Sequence, residues 1–186
     1  MGDISMPQLE TNRLSLRPLN LSDAARIEQL AGDYDVAKTT LNIPYPYPSG
    51  AAEPFINSML EAEKNDRVVI FAICEKSSED LIGIMNISIS AMHNRGELAY
   101  WIGKPYWGKG YGTEAAQAIL SYGFEELGLH KIFAEAYTSN PGSWRIMEKI
   151  GLAYEGTLKQ HVYRFGQHYD LAFYGLLREE YGQRTS

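Results

Sequence analysis

Glu97-Leu-Ala-Tyr-Trp-Ile-Gly-Lys-Pro-Tyr-Trp-Gly-Lys-Gly-Tyr-Gly-Thr-Glu-Ala-Ala116 is the stretch whose reading decides the fold. Leu98, Tyr100 and Ile102 alternate with Glu97, Ala99, Trp101 and Gly103, the period-2 pattern of a strand, and Pro105 closes it. From Thr113 onward Ala116, Ile119, Leu120, Phe124 and Leu127 recur at three- and four-residue spacing, so one face of a helix is apolar. Between strand and helix stand Gly108, Gly110 and Gly112. Glycines at this density let a backbone approach a ligand closely, and a helix beginning just after them turns free N–H groups and its positive dipole end toward it. The expected occupant is an anion, most naturally a pyrophosphate.

Three phosphate loops compete for this stretch. Gly103, Gly108 and Lys109 nearly form a Walker A loop, but Gly110 stands where a Ser or Thr hydroxyl would hold magnesium. A dinucleotide fingerprint needs Gly-x-Gly-x-x-Gly, and Thr113 occupies its third small position. The third is the acetyl-coenzyme A loop, Arg/Gln-x-x-Gly-x-Gly/Ala. Trp107-Gly108-Lys109-Gly110-Tyr111-Gly112 matches its glycines and departs at the first residue, where Trp107 replaces Arg or Gln. With Thr113-Glu-Ala following, the stretch resembles the GCN5-related N-acetyltransferase (GNAT) superfamily, in its ribosomal-protein N-terminal (RimJ/RimL-type) branch. A glycine-rich tight turn without a ligand is the plain alternative.

The 186 residues suit one domain, expected over 1–186 with 1–8 as an extension ahead of it. Hydrophobic residues make up 45% and charged residues 22%, ordinary globular values, and no apolar run approaches the roughly 18 residues that cross a bilayer. With no signal-peptide pattern at Met1 and the single Cys74, a cytoplasmic location is expected. A formal charge of −6 argues against a nucleic-acid partner. His93, His130, His161 and His168 are scattered, so no metal site is expected.

Along the chain, a first strand at 12–18 leads to a helix capped by Ser22, and a second helix is expected over 51–65. Between them Leu41-Asn-Ile-Pro-Tyr-Pro-Tyr-Pro is a pre-ordered loop displaying Tyr45 and Tyr47. Val68–Cys74 is a continuous apolar run, hence a strand buried on both faces with Cys74 as a small core residue. Isoleucines at 82 and 84, then at 87 and 89, change parity and predict a bulge near Met85 and Asn86. A strand over 130–138 places Ile132, Ala134 and Ala136 on one face and Phe133, Glu135 and Tyr137 on the other. Asn140-Pro141 opens a helix that Gly151 ends, and two further strands turn at Gly166.

The run from Asn140 to Gly156 is similar to the second cofactor motif of the same family, and the likeness extends over about residues 9–181. It implies an α/β (α+β) fold, a mixed and mostly antiparallel sheet of about seven strands flanked by about four helices, with splayed central strands. It also implies acetyl-coenzyme A as cosubstrate and a primary amine as acceptor, in a monomer or homodimer. By position, Tyr100, Trp101 and Ile102 supply backbone to pantetheine, one N–H facing the thioester oxygen. Trp107 to Thr113 take the pyrophosphate, with Lys109 and Tyr111 between the glycines, and Asn140 and Ser143 meet the pantetheine arm. Tyr45 and Tyr47 border the acceptor cleft. Glu97 is the expected base or water relay, although it could equally mark a strand end or pair with Arg95. Met147 stands where many relatives carry an acidic tyrosine, and Ser143 is the expected substitute. The acceptor is expected to be a protein N-terminus, with a small amine such as a polyamine, or a non-catalytic acyl-coenzyme A sensor, as the alternatives.

Overall fold

The computed structural model describes residues 7–185, so most of the extension expected over 1–8 lies outside the described residues. The strands are β1 (Leu9–Glu10), β2 (Leu14–Pro18), β3 (Val68–Glu75), β4 (Leu81–Ser90), β5 (Arg95–Ile102), β6 (Lys131–Tyr137), β7 (Ala153–Arg164) and β8 (Gln167–Leu177). The helices are α1 (Ala24–Ala31), α2 (Tyr34–Ala37), α3 (Ala52–Lys64), α4 (Tyr111–Glu125), α5 (Pro141–Lys149) and α6 (Arg178–Thr185). One sheet runs in the order β1-β2-β3-β4-β5-β6-β8-β7, antiparallel except between β5 and β6. The additions to the expected count are short or polar. β1 has two residues and α2 four, too few to carry a period. α6 is charged and docks mainly through Tyr181, stacked on Phe124 at 4.8 Å.

β3 explains how the sheet is held. It is buried along nearly all its length, and its side chains alternate between two cores. Phe71 and Ile73 point into a core with Ile119 and Phe124 of α4. Ile70, Ala72 and Cys74 point into a second core with Ile27 of α1 and Ile56 of α3. The sheet is therefore covered on both faces, which an unbroken apolar run demands.

β4 corrects the expected bulge. Its pairing with β5 is continuous through Met85 and Asn86, and the register slips earlier, between Gly83 and Leu81 opposite Ile73 and Cys74. Ile82 and Met85 accordingly share one core while Ile84 lies in the other. In a strand buried on both faces apolar residues occupy either parity, so the pattern misplaces the slip.

The start of α1 corrects a second expectation. Asn20, not Ser22, accepts from the chain, capping the 3-10 turn Leu21–Asp23 that leads into α1, and Asp23 completes a capping box there by accepting the Asn20 N–H at 2.9 Å, while α1 itself begins without a side-chain cap. Asp23 is 5% exposed and is also held by Arg17, at 2.6 and 3.0 Å. Removing one member of such a pair strands the other. Asp23→Ala should cost roughly 3 kcal/mol, read as a lower urea midpoint, because Arg17 then loses its counter-charge.

Candidate active site

β5 and β6 pair only from Arg95–Lys131 to Glu97–Phe133, and beyond that point the two strands part. On the other side β5 stays paired with β4 out to Ile102. The Gly103 N–H donates to Ile82 O at 2.8 Å, toward β4. Peptide groups alternate along a strand, so those of Trp101 also face β4, and those of Leu98, Tyr100 and Ile102 face the opening. Of the three residues expected to offer backbone, Tyr100 and Ile102 are thus on the open side and Trp101 is not. The Ile102 carbonyl is taken by the Trp107 indole N–H at 2.7 Å. The residue that departs from the cofactor-loop pattern therefore has a structural use, fastening the loop to the strand it leaves.

The loop itself is exposed from Trp107 to Gly110. Gly110, at φ +80°, is the N-cap of α4 and gives no side-chain acceptor to the first-turn N–H groups. Those groups and the absence of a β-carbon there suit an anion such as the pyrophosphate of coenzyme A. Gly112 has a different reason. It is buried, and a β-carbon would lie 2.8 Å from Ile146 Cδ1, so it lets α4 and α5 pack closely. Arg13 braces the loop from β2, donating to Lys109 O at 2.8 Å and pairing with Glu114 at 2.7 Å. It also covers the Tyr111 ring at 4.5 Å. Tyr111 is buried, with its hydroxyl on Glu75, and Thr113 is half-buried in the first turn of α4. Lys109 Nζ lies 5.5 Å from the Tyr106 ring centroid.

The parting opens into a cavity of about 700 Å³. Glu97 and Glu135 both line it. Glu97 sits opposite Phe133, and Glu135 is two residues further along β6, so both carboxylates emerge from the same face of the sheet on adjoining strands. Burial raises the Glu97 carboxyl against the opposing pull of Arg95. Burial and the Glu97 charge together push Glu135 up to about 7. Glu135 is a candidate site residue that reading the strand by its faces passed over. The available signal was a carboxylate between two buried alanines, Ala134 and Ala136.

Ser143, Met147 and Tyr100 line the same cavity. The Tyr100 hydroxyl donates to Ser143 O at 2.9 Å and lies 3.0 Å from Ser143 Oγ. Burial, eased by that hydrogen bond, pushes Tyr100 up to about 12, so it stays protonated. Asn140 Oδ1 accepts the Ser143 N–H at 3.3 Å as a helix cap, while its amide donates to Thr39 O at 3.3 Å. Tyr47 is part of the cavity wall, whereas Tyr45 lies outside it with its ring 4.9 Å from Tyr34. Among the described residues no three His, Cys, Asp or Glu side chains gather as a metal site. No helix among them is long and apolar enough to cross a membrane.

Residues 13–153, which hold the glycine loop at the start of α4 and the opened parallel strand pair, match the model of the acetyltransferase (GNAT) domain. The chain belongs to the GNAT family. It is an N-acetyltransferase that uses acetyl-coenzyme A and an amine. A Bacillus licheniformis relative named "uncharacterized N-acetyltransferase p20" is 32% identical over 180 residues, 95% of this chain and 99% of its own. The spermidine N(1)-acetyltransferase of Vibrio cholerae is 26% identical over 175 residues, 94% and 98% of the two chains. Among solved structures, a ribosomal L7/L12 α-N-protein acetyltransferase (RimL) in complex with coenzyme A superposes with a TM-score of 0.85. That match covers 92% of this chain and 98% of the other at 16% identity, a likeness of fold.

Within this GNAT site the two carboxylates should titrate as a coupled pair. Glu97→Gln removes the like charge and should lower the Glu135 midpoint, followed by carboxyl carbon NMR, while leaving it above an ordinary glutamate because burial remains. A carboxyl whose pKa is raised on folding binds extra protons in the native state, so stability falls as pH rises from the unfolded value toward about 7. Glu135→Gln should therefore gain Tm relative to the native protein at pH 8 and lose that advantage at pH 4.

Proposed function

We propose that this N-acetyltransferase acts on the α-amino group of a protein or peptide, with Glu135 and Glu97 taking the ammonium proton and Ser143, backed by Tyr100, donating to the departing thiolate. The observation that carries the reading is the pair of carboxylates, Glu97 and Glu135, lining one cavity where β5 and β6 part, with burial and the Glu97 charge pushing Glu135 up to about 7. An α-ammonium titrates at about 7.7–8.0, so proton transfer to such a base is uphill by about 1 unit, or about 1.4 kcal/mol. A lysine-like alkylammonium at about 10.4 is uphill by more than 3 units, over 4 kcal/mol. A base poised near the operating pH is what general base catalysis favours.

Acetyl-coenzyme A supplies the activated acetyl group when bound. The chain's own contribution is the exposed glycine loop with Gly110 at the start of α4, the unpaired β5 edge at Tyr100 and Ile102, and Asn140 and Ser143 at the start of α5. Ser143 Oγ lies 3.0 Å from the Tyr100 hydroxyl, which fixes the position of the Ser143 side chain in the cavity. Polyamine acetylation is the second reading, favoured by the spermidine acetyltransferase relative.

The test is release of free thiol from acetyl-coenzyme A with a peptide bearing a free N-terminus against the same peptide with a blocked one. Only the free peptide should react. Glu135→Gln should lower turnover at neutral pH by about 100-fold, the lower end of general acid–base contributions, and recover in part near pH 9 where the free amine is abundant. Ser143→Ala should lower kcat roughly ten- to a hundredfold with unchanged coenzyme A affinity. Turnover of both variants at the native rate would remove the assigned roles.

A further inference from the structure

We infer that the acceptor presents one amine on an uncharged, apolar body, so that the cavity admits an N-terminal residue with an apolar side chain and rejects polycations. This rests on the α-amino reading above and adds what stands behind the amine. Glu97 and Glu135 are the only charged side chains in the cavity wall among the described residues. They sit together at the parting of β5 and β6, and the Glu97 charge raises Glu135, so the pair carries less than two full charges at neutral pH. One ammonium satisfies that.

The rest of the wall carries no charge to meet a second ammonium. Its apolar part is Ile27, Ile43, Phe55, Met59, Ile84 and Trp101, and its polar side chains, among them Asn42, Asn86 and Ser88, are neutral. Backbone carbonyls could have served a cation in their place, but those of Thr39, Thr40, Leu41 and Ile43 already accept hydrogen bonds. Asn140 donates to Thr39 O at 3.3 Å and Tyr137 to Thr40 O at 3.1 Å. Arg164 donates to Leu41 O and, at 2.6 Å, to Ile43 O. Leu41 and Ile43 belong to the cavity wall, so this guanidinium places a fixed positive charge directly behind it. A chain with several ammonium groups would leave at least one buried without a counter-charge and near the Arg164 guanidinium, a costly arrangement. An apolar side chain gains by displacing water from the same wall.

The experiment compares kcat/KM at saturating acetyl-coenzyme A for short peptides beginning with Phe, Met, Gly, Asp or Lys, for phenylalaninamide, for phenethylamine and for spermidine. Phe- and Met-first peptides should exceed the Gly-first peptide by at least tenfold, the discrimination hydrophobic pockets achieve, and spermidine should be the poorest. Phenylalaninamide matching the Phe peptide identifies a free amino acid derivative as the source of the chemistry, and a tenfold advantage of the peptide identifies a polypeptide. Either outcome supports the inference. Gly-, Asp- or Lys-first peptides equal to Phe would overturn it while leaving α-amino acetylation intact. Phenethylamine well above phenylalaninamide would instead overturn the α-amino reading and leave the apolar body standing. Spermidine as the best acceptor would end both.

Phe55→Ala should narrow the Phe-over-Gly ratio by at least fivefold. Met59→Glu, checked by circular dichroism and coenzyme A calorimetry, should raise spermidine turnover and depress that of the Phe peptide. A folded Met59→Glu variant with unaltered selectivity would count against the assigned wall.

Discussion

The site depends on a ladder that is not completed. Among the described residues β5 and β6 form the single parallel pair in an otherwise antiparallel sheet, and they hold register for three residue pairs only. A buried strand edge must find other partners for its peptide groups, since an unpaired one costs on the order of 1–3 kcal/mol. Here the Trp107 indole meets the Ile102 carbonyl. The remaining edge is what a linear amide-bearing molecule can complete in the manner of an added strand. The opening also brings Glu97, Glu135, Tyr100 and Ser143 to one cavity without any loop having to carry them.

Placing two carboxylates on one face of adjoining strands has an electrostatic consequence. Neither has a cation of its own inside the cavity, and only Arg95, at the start of β5, pulls Glu97 down. Desolvation therefore dominates both, and Glu135, with Glu97 as neighbour, rises further. The resulting affinity for a proton follows from burial and from the neighbouring Glu97 charge. The rest of the wall carries no further charge, which joins the choice of base to the choice of acceptor.

Much of this was legible in the sequence, for definable reasons. The glycine loop and the start of α4 follow from local steric rules, as does Asn140-Pro141 capping α5. The burial of β3 on both faces follows from an unbroken apolar run. What failed depends on pairing between distant segments. Glu135 gains its meaning only because β6 lies beside β5, and no periodicity announces a strand neighbour. Gly112 reads as a ligand-approach residue until Ile146 of α5 is seen against it. Trp107 reads as a defect of the motif until Ile102 O is found within reach of its indole. Ser22 and Asn20 carry equivalent capping chemistry, and the choice between them is made by Asp23, which Arg17 fixes from β2.

The parting of β5 from β6 as the seat of acetyl-coenzyme A can be tested most directly by residue-resolved amide hydrogen exchange with and without coenzyme A. The Tyr100 and Ile102 N–H groups face the opening and should gain protection on binding. The intervening Trp101 N–H, turned toward β4, should change little. Coenzyme A binding with no protection of Tyr100 or Ile102, or with an equal gain at Trp101, would contradict the account.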